Sequence, residues 1–317
     1  MLDMSSGSAI AHHGEILQGV YTPPDGCTYR ALVTLPYPQR QAQATFRPAP
    51  GQVITVEPAW KTKAGEAARL TLRYCGQSAW GGHVTITNST PPCWGFGSST
   101  SDVTATIRAV STACQMPLPA TVVARLAVAA ETASDAVMFD ERAVLFAHRV
   151  GVVLEDLGGT LPPLEVVGVN TDLTEVGVDT LHMPPMQYSS EEHALLHTLV
   201  AQLRQAVERR DPHLVGHVAW MSARLHQRHL PKPGFADLEL LVEEVEALGL
   251  QVSHSGTIVG LLFDPCDAGK ERKIRDVRLR LRALGFAQTW RFCTEPSGRQ
   301  PTPGTMWPGE GPRTISD

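Results

Sequence analysis

The sequence lacks the segments that direct a chain into or across a membrane. No lysine or arginine precedes Arg30, so the start of the sequence has no basic region of the kind that opens a signal peptide. No apolar run approaches the ~20 residues that a membrane-spanning helix needs. We therefore expect a cytoplasmic protein that does not act at a membrane.

Cysteine is also scarce and irregularly placed. The six cysteines are scattered and form no CxxC pair, whereas a disulfide framework needs short, repeated spacings in a small secreted chain. We expect reduced thiols, most of them packed in the core.

Positive charge does not exceed negative charge. The chain has 27 Lys and Arg against 32 Asp and Glu, a formal net charge of −5. A net-negative chain has no general attraction for nucleic acid or anionic lipid, so neither is an expected partner. The hydrophobic content of 43% is enough for a folded core.

The order of the predicted elements is typical of the α+β class. Short alternating segments, divided by prolines, predict strands in the first third of the chain. These predicted strands are 31–38, 41–48, 51–58, 69–74 and 83–90. Helical segments dominate afterwards, interrupted by a strand at 165–170 and a strand–turn–strand segment at 250–263. The predicted helices are 99–114, 120–130, 190–210, 211–227, 236–248 and 270–284.

The length of 317 residues suggests two domains. The stretch LGGTLPP at 157–163 is the best candidate for the boundary between them. We predict one domain at 1–160 and a second at 161–295. A Pro/Gly-rich tail follows at 296–317.

The segment 89–110, STPPCWGFGSSTSDVTATIRAV, carries the most informative functional signal. Two prolines turn the chain, Gly95 and Gly97 flank an aromatic residue, and a helix follows. Glycines let backbone amides approach a ligand, and the free N–H groups of a first helical turn bind phosphate. A hydroxyl there can also ligate Mg²⁺. An ordinary capped helix gives the same pattern, and the absence of a following lysine excludes a Walker A loop.

Two further motifs accompany this segment. GEILQG lies at 14–19, and SHSGTIVGLLF lies at 253–263. In this order, the three segments resemble the signature motifs of the GHMP kinases. The resemblance implies a two-domain α+β fold, with an N-terminal domain like ribosomal protein S5 and a C-terminal α/β sandwich. ATP and the acceptor would meet at the domain interface.

Within that family, the stretch HLPKPGFADLELLVEEVEALGLQVSHSGTIVGLLFD at 229–264 is similar to the threonine kinases of cobalamin synthesis. SSTSDVTAT at 98–106 also matches them, and the similarity extends from about residue 9 to about residue 290. It implies an enzyme that uses ATP and Mg²⁺ to phosphorylate the side-chain hydroxyl of L-threonine. The implied partner is a small hydroxy amino acid, and a homodimer is possible.

The resemblance also implies roles for individual residues. Ser99 and Glu131 would ligate Mg²⁺, and Asp135 would act with Ser99 in catalysis by orienting or deprotonating the acceptor hydroxyl. The residues implied in binding the phosphates of ATP are Pro92, Gly95, Gly97, Ser98, Ser99 and Thr100. The residues implied on the acceptor side are Glu15, His13, Lys232, Ser255 and Gly256, with Lys232 facing a substrate carboxylate.

Some features depart from the threonine-kinase pattern on the acceptor side. Asp135 follows Glu131 at a gap one residue longer, and TLPYP at 34–38 replaces a stretch that ends in Asp. His12 and His13 stand where those kinases carry small or thiol residues. A kinase for another hydroxy amino acid or an amino alcohol therefore stays open, as does a nucleotide-binding relative without catalysis.

Other candidate sites have simpler structural explanations. Glu131 and Asp135 can be the solvated end of a helix, and Lys232 can be a surface lysine beside a Pro–Gly turn. The basic run 270–282 has apolar residues at helical spacing and indicates an amphipathic helix. Two histidine pairs have i,i+4 spacing, but no third metal ligand is indicated for either. They are His193 with His197 and His213 with His217.

Overall fold

The computed structural model describes residues 2–23, 26–172 and 186–295. Ten strands and seven helices lie in these ranges. The strands are β1 Ser5–Tyr21, β2 Tyr29–Pro50, β3 Ile54–Glu57, β4 Trp80–Asn88, β5 Val144–Ala147, β6 Val152–Asp156, β7 Glu165–Asn170, β8 Gly249–Val252, β9 Ile258–Phe263 and β10 Thr289–Cys293. The helices are α1 Thr62–Tyr74, α2 Ser98–Ala113, α3 Ala120–Glu131, α4 Ser190–Arg209, α5 Pro212–His226, α6 Phe235–Glu244 and α7 Lys270–Ala283. The predicted α+β class is confirmed.

One curled sheet connects the two halves of the described chain. Its strand order is β10-β7-β9-β8-β1-β2-β4-β3, and β5 pairs with β2 and β6. The link between the halves is a single pairing of β1 with β8, at Glu15 and Val252. This pairing places the first sequence motif directly beside the third. The division at residue 160 stays a prediction, and the predicted tail at 296–317 lies outside the described residues.

The structure corrects the prediction for the first third of the chain. A single strand, β2, runs through the three prolines that were expected to divide it. Pro36 pairs only with His12 of β1, Pro48 pairs only with Gly82 of β4, and Pro38 lies at a register shift of β2 where it has no ladder partner. A missing N–H is tolerated at such positions, because it leaves no ladder hydrogen bond unmade.

The predicted strand at 69–74 is wrong, because this segment belongs to helix α1. The buried residues of α1 lie three and four positions apart, the spacing of one helical face. They are Ala64, Ala67, Ala68, Thr71 and Leu72. The alternation of Leu70 and Leu72 that suggested a strand is the end of this longer helical pattern.

The elements that carry the second and third sequence motifs agree closely with prediction, whereas the first motif lies in β1, a strand that was not predicted. Helix α2 begins at Ser98 directly after the glycine loop, and β8 and β9 form the predicted strand–turn–strand segment. A capping box begins α4, with Ser189 and Glu192 bonding reciprocally. Within the described ranges, no helix is long and apolar enough to span a membrane.

A core packed between α2, α3 and β5 supports the helix that begins at the glycine loop. Phe146 of β5 is fully buried there with Leu32, Val103 and Ile107. Replacement of this ring by a methyl group removes apolar contacts and leaves a cavity. We expect Phe146→Ala to lower the free energy of unfolding by about 3–5 kcal/mol in urea denaturation.

The matched control for this change is Val150→Ala, in the turn that follows β5, because Val150 is 50% exposed. Its effect should stay within about 0.5 kcal/mol. An equal effect of the two substitutions would contradict the placement of Phe146 in the core.

Candidate active site

The glycine loop before α2 has the backbone of an anion-binding turn. Gly95 and Gly97 have φ values of +104° and +63°, and Gly97 is the N-cap of α2. A Cβ atom on Gly97 would lie 2.1 Å from Cδ2 of His12. Only glycine allows this approach. The first-turn N–H groups of α2 are therefore available to an anion.

The three sequence motifs meet at this loop. The N–H of His12 donates to the carbonyl of Phe96 at 3.1 Å, which attaches β1 to the loop. The N–H groups of Thr257 and Ile258 donate to the carbonyl of Trp94 at 2.8 and 3.1 Å. A Cβ atom on Gly256 would lie 2.2 Å from that carbonyl oxygen, so the third motif packs directly against the loop.

A hydroxyl and a buried carboxylate pair at the start of α2. Ser99 Oγ donates to Glu131 Oε2 at 2.7 Å, and Glu131 Oε1 is buried without a hydrogen-bond partner among the described residues. Burial raises the pKa of Glu131 to about 7, although Ser99 and the charge of Lys63 oppose this shift. Hard oxygen donors of this kind suit Mg²⁺, and a cation here would satisfy the unpaired oxygen. The residues fit the ion that the resemblance implies.

A second carboxylate, Asp135, lies beside this pair and is held by hydrogen bonds. Its Oδ2 accepts from His12 Nε2 at 2.8 Å and from Thr100 Oγ1 at 3.3 Å. Burial alone would raise the pKa of Asp135, but the charge and the hydrogen bond of His12 outweigh it and lower the value to about 2. Asp135 is therefore an anion at neutral pH.

His12 connects Asp135 to Glu15. The N–H of Gly14 donates to His12 Nδ1 at 3.1 Å, so the proton of the neutral ring lies on Nε2 and faces Asp135. Burial lowers the pKa of His12, but Asp135 outweighs it and brings the value to about 9. Burial also raises the pKa of Glu15 to about 8. Glu15 Oε1 lies 3.8 Å from His12 Nδ1, so a second proton on His12 would stand beside Glu15.

These groups line one cavity of about 350 Å³. Most of the residues implied by the sequence lie on its wall, where the structure brings them together. They are Glu15, Gly95, Gly97, Ser98, Ser99, Thr100, Glu131, Asp135 and Ser255. Four others are not part of the lining, namely Pro92, His13, Lys232 and Gly256.

His13 lies in an aromatic cluster of the core instead of the cavity. Its ring contacts Phe96, Trp290 and Phe292 at centroid distances of 5.0–5.6 Å, and its Nδ1 faces the amide of Gln251. Burial lowers the pKa of His13 to about 3, so the ring is neutral. This position gives His13 no contact with a ligand in the cavity.

Lys232 lies beneath the third motif. The residue is 7% exposed, and its Nζ donates to the carbonyl of Gly256 at 2.5 Å. The interpretation as a surface lysine is therefore wrong. The expected contact with a substrate carboxylate is not supported either, because the ammonium group binds a backbone carbonyl behind the cavity wall.

Sequence reasoning missed some residues of the cavity wall. Lys63 of α1, His148 in the turn after β5, and His12 as the partner of Asp135 all contribute to it. A lone histidine or lysine in a turn or helix carries no local signal of this role. Among the described residues, the one group of at least three His, Cys, Asp or Glu side chains close enough to share a metal ion is His12, Glu15 and Asp135, so neither i,i+4 histidine pair belongs to such a group.

Comparison with known proteins agrees with this geometry. Residues 62–143, which include α1, α2, α3 and Glu131, match the sequence model described as "GHMP kinases N terminal domain". The chain carries a GHMP kinase N-terminal domain. The resemblance drawn from the sequence motifs is thereby confirmed.

Curated relatives of this chain include two L-threonine kinases. The protein of Salmonella typhimurium is 32% identical over 181 residues, which cover 57% of this chain and 59% of the relative. That of Citrobacter freundii is 28% identical over 57% of this chain and 62% of the relative. The chain thus matches about three fifths of the length of each.

Solved structures share the fold over nearly the whole chain. Homoserine kinase of Cytophaga hutchinsonii has a TM-score of 0.65 at 15% identity, with 92% of this chain and 95% of that one covered. Mevalonate kinase of L. major, solved with R-mevalonate, has a TM-score of 0.61 at 18% identity, with 94% and 96% covered. The GHMP kinase fold predicted from the sequence motifs is confirmed.

The buried ammonium group of Lys232 should make stability depend on pH. Burial lowers its pKa to about 8 from 10.5, so the unfolded chain binds more protons between these values and stability rises with pH. Relative to Lys232→Met, which cannot ionise, the wild type should gain about 2 kcal/mol between pH 7 and pH 10. Urea denaturation of both proteins across this range measures the gain. A constant difference between them would show that the ammonium group is solvated.

Proposed function

We propose that this chain is an ATP-dependent kinase that phosphorylates the side-chain hydroxyl of L-threonine. The observation that carries the proposal is the convergence of Ser99, Glu131 and Asp135 at the start of α2, in one cavity. Phosphoryl transfer needs neutralised charge on the transferring oxygens and a hydroxyl held in line. The cavity offers groups for both requirements.

The nucleotide side of the cavity is built for phosphate. The first-turn amides of α2 provide hydrogen-bond donors and the positive end of a helix dipole. Lys63 adds a positive charge on the same wall. Ser99 and Glu131 would hold Mg²⁺, which neutralises phosphate charge when bound. One structural neighbour, MDDEF, was solved with MVAPP, AMPPCP and magnesium, and it has a TM-score of 0.62 at 16% identity.

Asp135 supplies the group that orients the acceptor. A carboxylate that is already ionised accepts a hydrogen bond from the attacking hydroxyl and aims its oxygen at the phosphate. The hydrogen bonds from His12 and Thr100 fix the direction of this carboxylate. The proton released by the hydroxyl passes to Asp135 as the hydroxyl oxygen attacks the phosphate.

The assignment of L-threonine rests on the similarity of two relatives described as L-threonine kinases. The cavity volume of about 350 Å³ has room for a small amino acid beside the phosphates. The neutral acceptor-side rings of His148 and His254 border the same space.

Substitution of the two carboxylates separates their roles. Asp135→Asn should lower kcat by about 10²–10⁴, because the amide cannot accept the proton of the hydroxyl. Glu131→Gln should also lower kcat, but excess Mg²⁺ should restore part of the loss. Steady-state ADP release distinguishes the two variants when it is measured from the Mg²⁺ concentration that the wild type requires up to about 50-fold above it.

The control for this pair is Asp140→Asn, because Asp140 is exposed and pairs with Arg108 outside the cavity. It should keep the wild-type rate. Wild-type turnover by Asp135→Asn would remove Asp135 from the reaction.

A panel of acceptors tests the substrate. L-threonine should give a higher kcat/KM than L-serine, L-homoserine or 1-amino-2-propanol. Loss of one methyl contact costs about 1–3 kcal/mol, so L-serine should remain a measurable substrate at about 10–200-fold lower kcat/KM. Another best acceptor would leave the kinase activity in place and refute the choice of threonine. ADP release with none of them, at any Mg²⁺ concentration, would count against this family of acceptors.

A further inference from the structure

A residue of the cavity wall has a buried nitrogen atom with no hydrogen-bond partner within the described part of the chain. This atom is Nε2 of His254, in the turn between β8 and β9. His254 lines the cavity together with Asp135 and Glu15. Buried polar atoms are nearly always hydrogen-bonded, so an unpaired one at a cavity wall indicates a contact with a ligand.

The protonation of this ring follows from its other nitrogen. Gln18 Nε2 donates to the carbonyl of Val252 at 3.4 Å, which directs Gln18 Oε1 toward the ring of His254. His254 Nδ1 then donates to Gln18 Oε1 at 2.7 Å. The proton of the neutral ring is therefore on Nδ1, and Nε2 presents a lone pair to its surroundings.

The surroundings keep the ring neutral and fixed in place. Burial lowers the pKa of His254 to about 4, so the lone pair is available at neutral pH. His226 Nε2 donates to the backbone carbonyl of His254 at 3.2 Å. The ring of His148 packs at a centroid distance of 5.2 Å, so little freedom remains for His254 to turn away.

One negative group and three positive groups act on the ring of His254. Among the charged groups that act on His254, Asp135 has the largest effect and is negative. Lys232, Arg30 and Arg149 act in the opposite direction with smaller effects. An ammonium group has three N–H donors, enough to reach a ring nitrogen and a carboxylate together.

We propose that His254 Nε2 accepts a hydrogen bond from the amino group of the acceptor, and that Gln18 is the positioning residue that keeps this nitrogen unprotonated. The site therefore selects acceptors that carry a primary ammonium group near the hydroxyl. This inference rests on the proposed kinase function. The inference gives the third motif a direct contact with the substrate, in addition to its backbone packing against the glycine loop.

The test compares L-threonine with (R)-3-hydroxybutanoate, which lacks only the amino group. The wild type should prefer L-threonine by at least about 100-fold in kcat/KM, because the analogue has no ammonium group to donate a hydrogen bond to His254 Nε2. His254→Leu should lower kcat/KM for L-threonine by about 10–100-fold. The same variant should leave the value for (R)-3-hydroxybutanoate within about threefold. Where turnover of the analogue is too slow, its inhibition constant against L-threonine replaces kcat/KM.

Two further variants keep the test independent of ring packing. His254→Gln retains an acceptor oxygen close to the position of Nε2 and should recover part of the preference. Gln18→Glu keeps the ring but favours its protonated form, whose Nε2 donates, so the preference for L-threonine should fall again. His217→Ala, an exposed histidine on α5, is the matched control and should behave as wild type.

The outcomes separate this inference from the proposed function. An equal loss for both substrates in His254→Leu, or an unchanged preference in Gln18→Glu, would overturn the inference while leaving the kinase in place. If the wild type releases ADP with neither substrate nor any other acceptor, the proposed function itself fails.

Discussion

The close contact between β1 and the glycine loop is the constraint on which the rest of the site depends. The ring of His12 occupies the space that a side chain at position 97 would fill, and the N–H of His12 is bonded to the loop. Because of this contact, the imidazole of His12 both restricts the backbone at the start of α2 and orients Asp135. A shift of β1 would disturb the start of α2 and the position of Asp135 together.

The second constraint is electrostatic, since several ionisable groups share a small buried volume. Glu131 pairs with a neutral hydroxyl and has one oxygen without a partner among the described residues, whereas Asp135 is ionised beside His12. Buried carboxylates without a cation are costly, so their environments must differ for both to persist. The difference gives one carboxylate the properties of a metal ligand and the other those of a hydrogen-bond acceptor for a hydroxyl.

The glycine loop and the start of α2 were predictable from the sequence, because glycines and hydroxyl residues before a helix form a local pattern. Ser99, Glu131 and Asp135 could be placed by resemblance, and the structure brings them together. The extent of β1 could not be predicted, since His12, His13 and Glu15 are polar residues in the buried part of the strand and obscure its alternation. Nor could the burial of Lys232 or the position of His148, which depend on contacts between distant segments.

In the proposed function, the groups that would face the acceptor come from strand β1 and from turns, whereas the groups that would face phosphate come from helices, at the start of α2 and in α1. His148 and His254 each lie in a turn between neighbouring antiparallel strands, outside any helix. Turns tolerate substitution better than packed helices do. Natural variation can therefore change which alcohol is accepted by altering a few turn residues, without rebuilding the nucleotide side. This separation between turn residues and helix residues offers one physical reason why the same architecture occurs in kinases named for acceptors as different as homoserine and mevalonate.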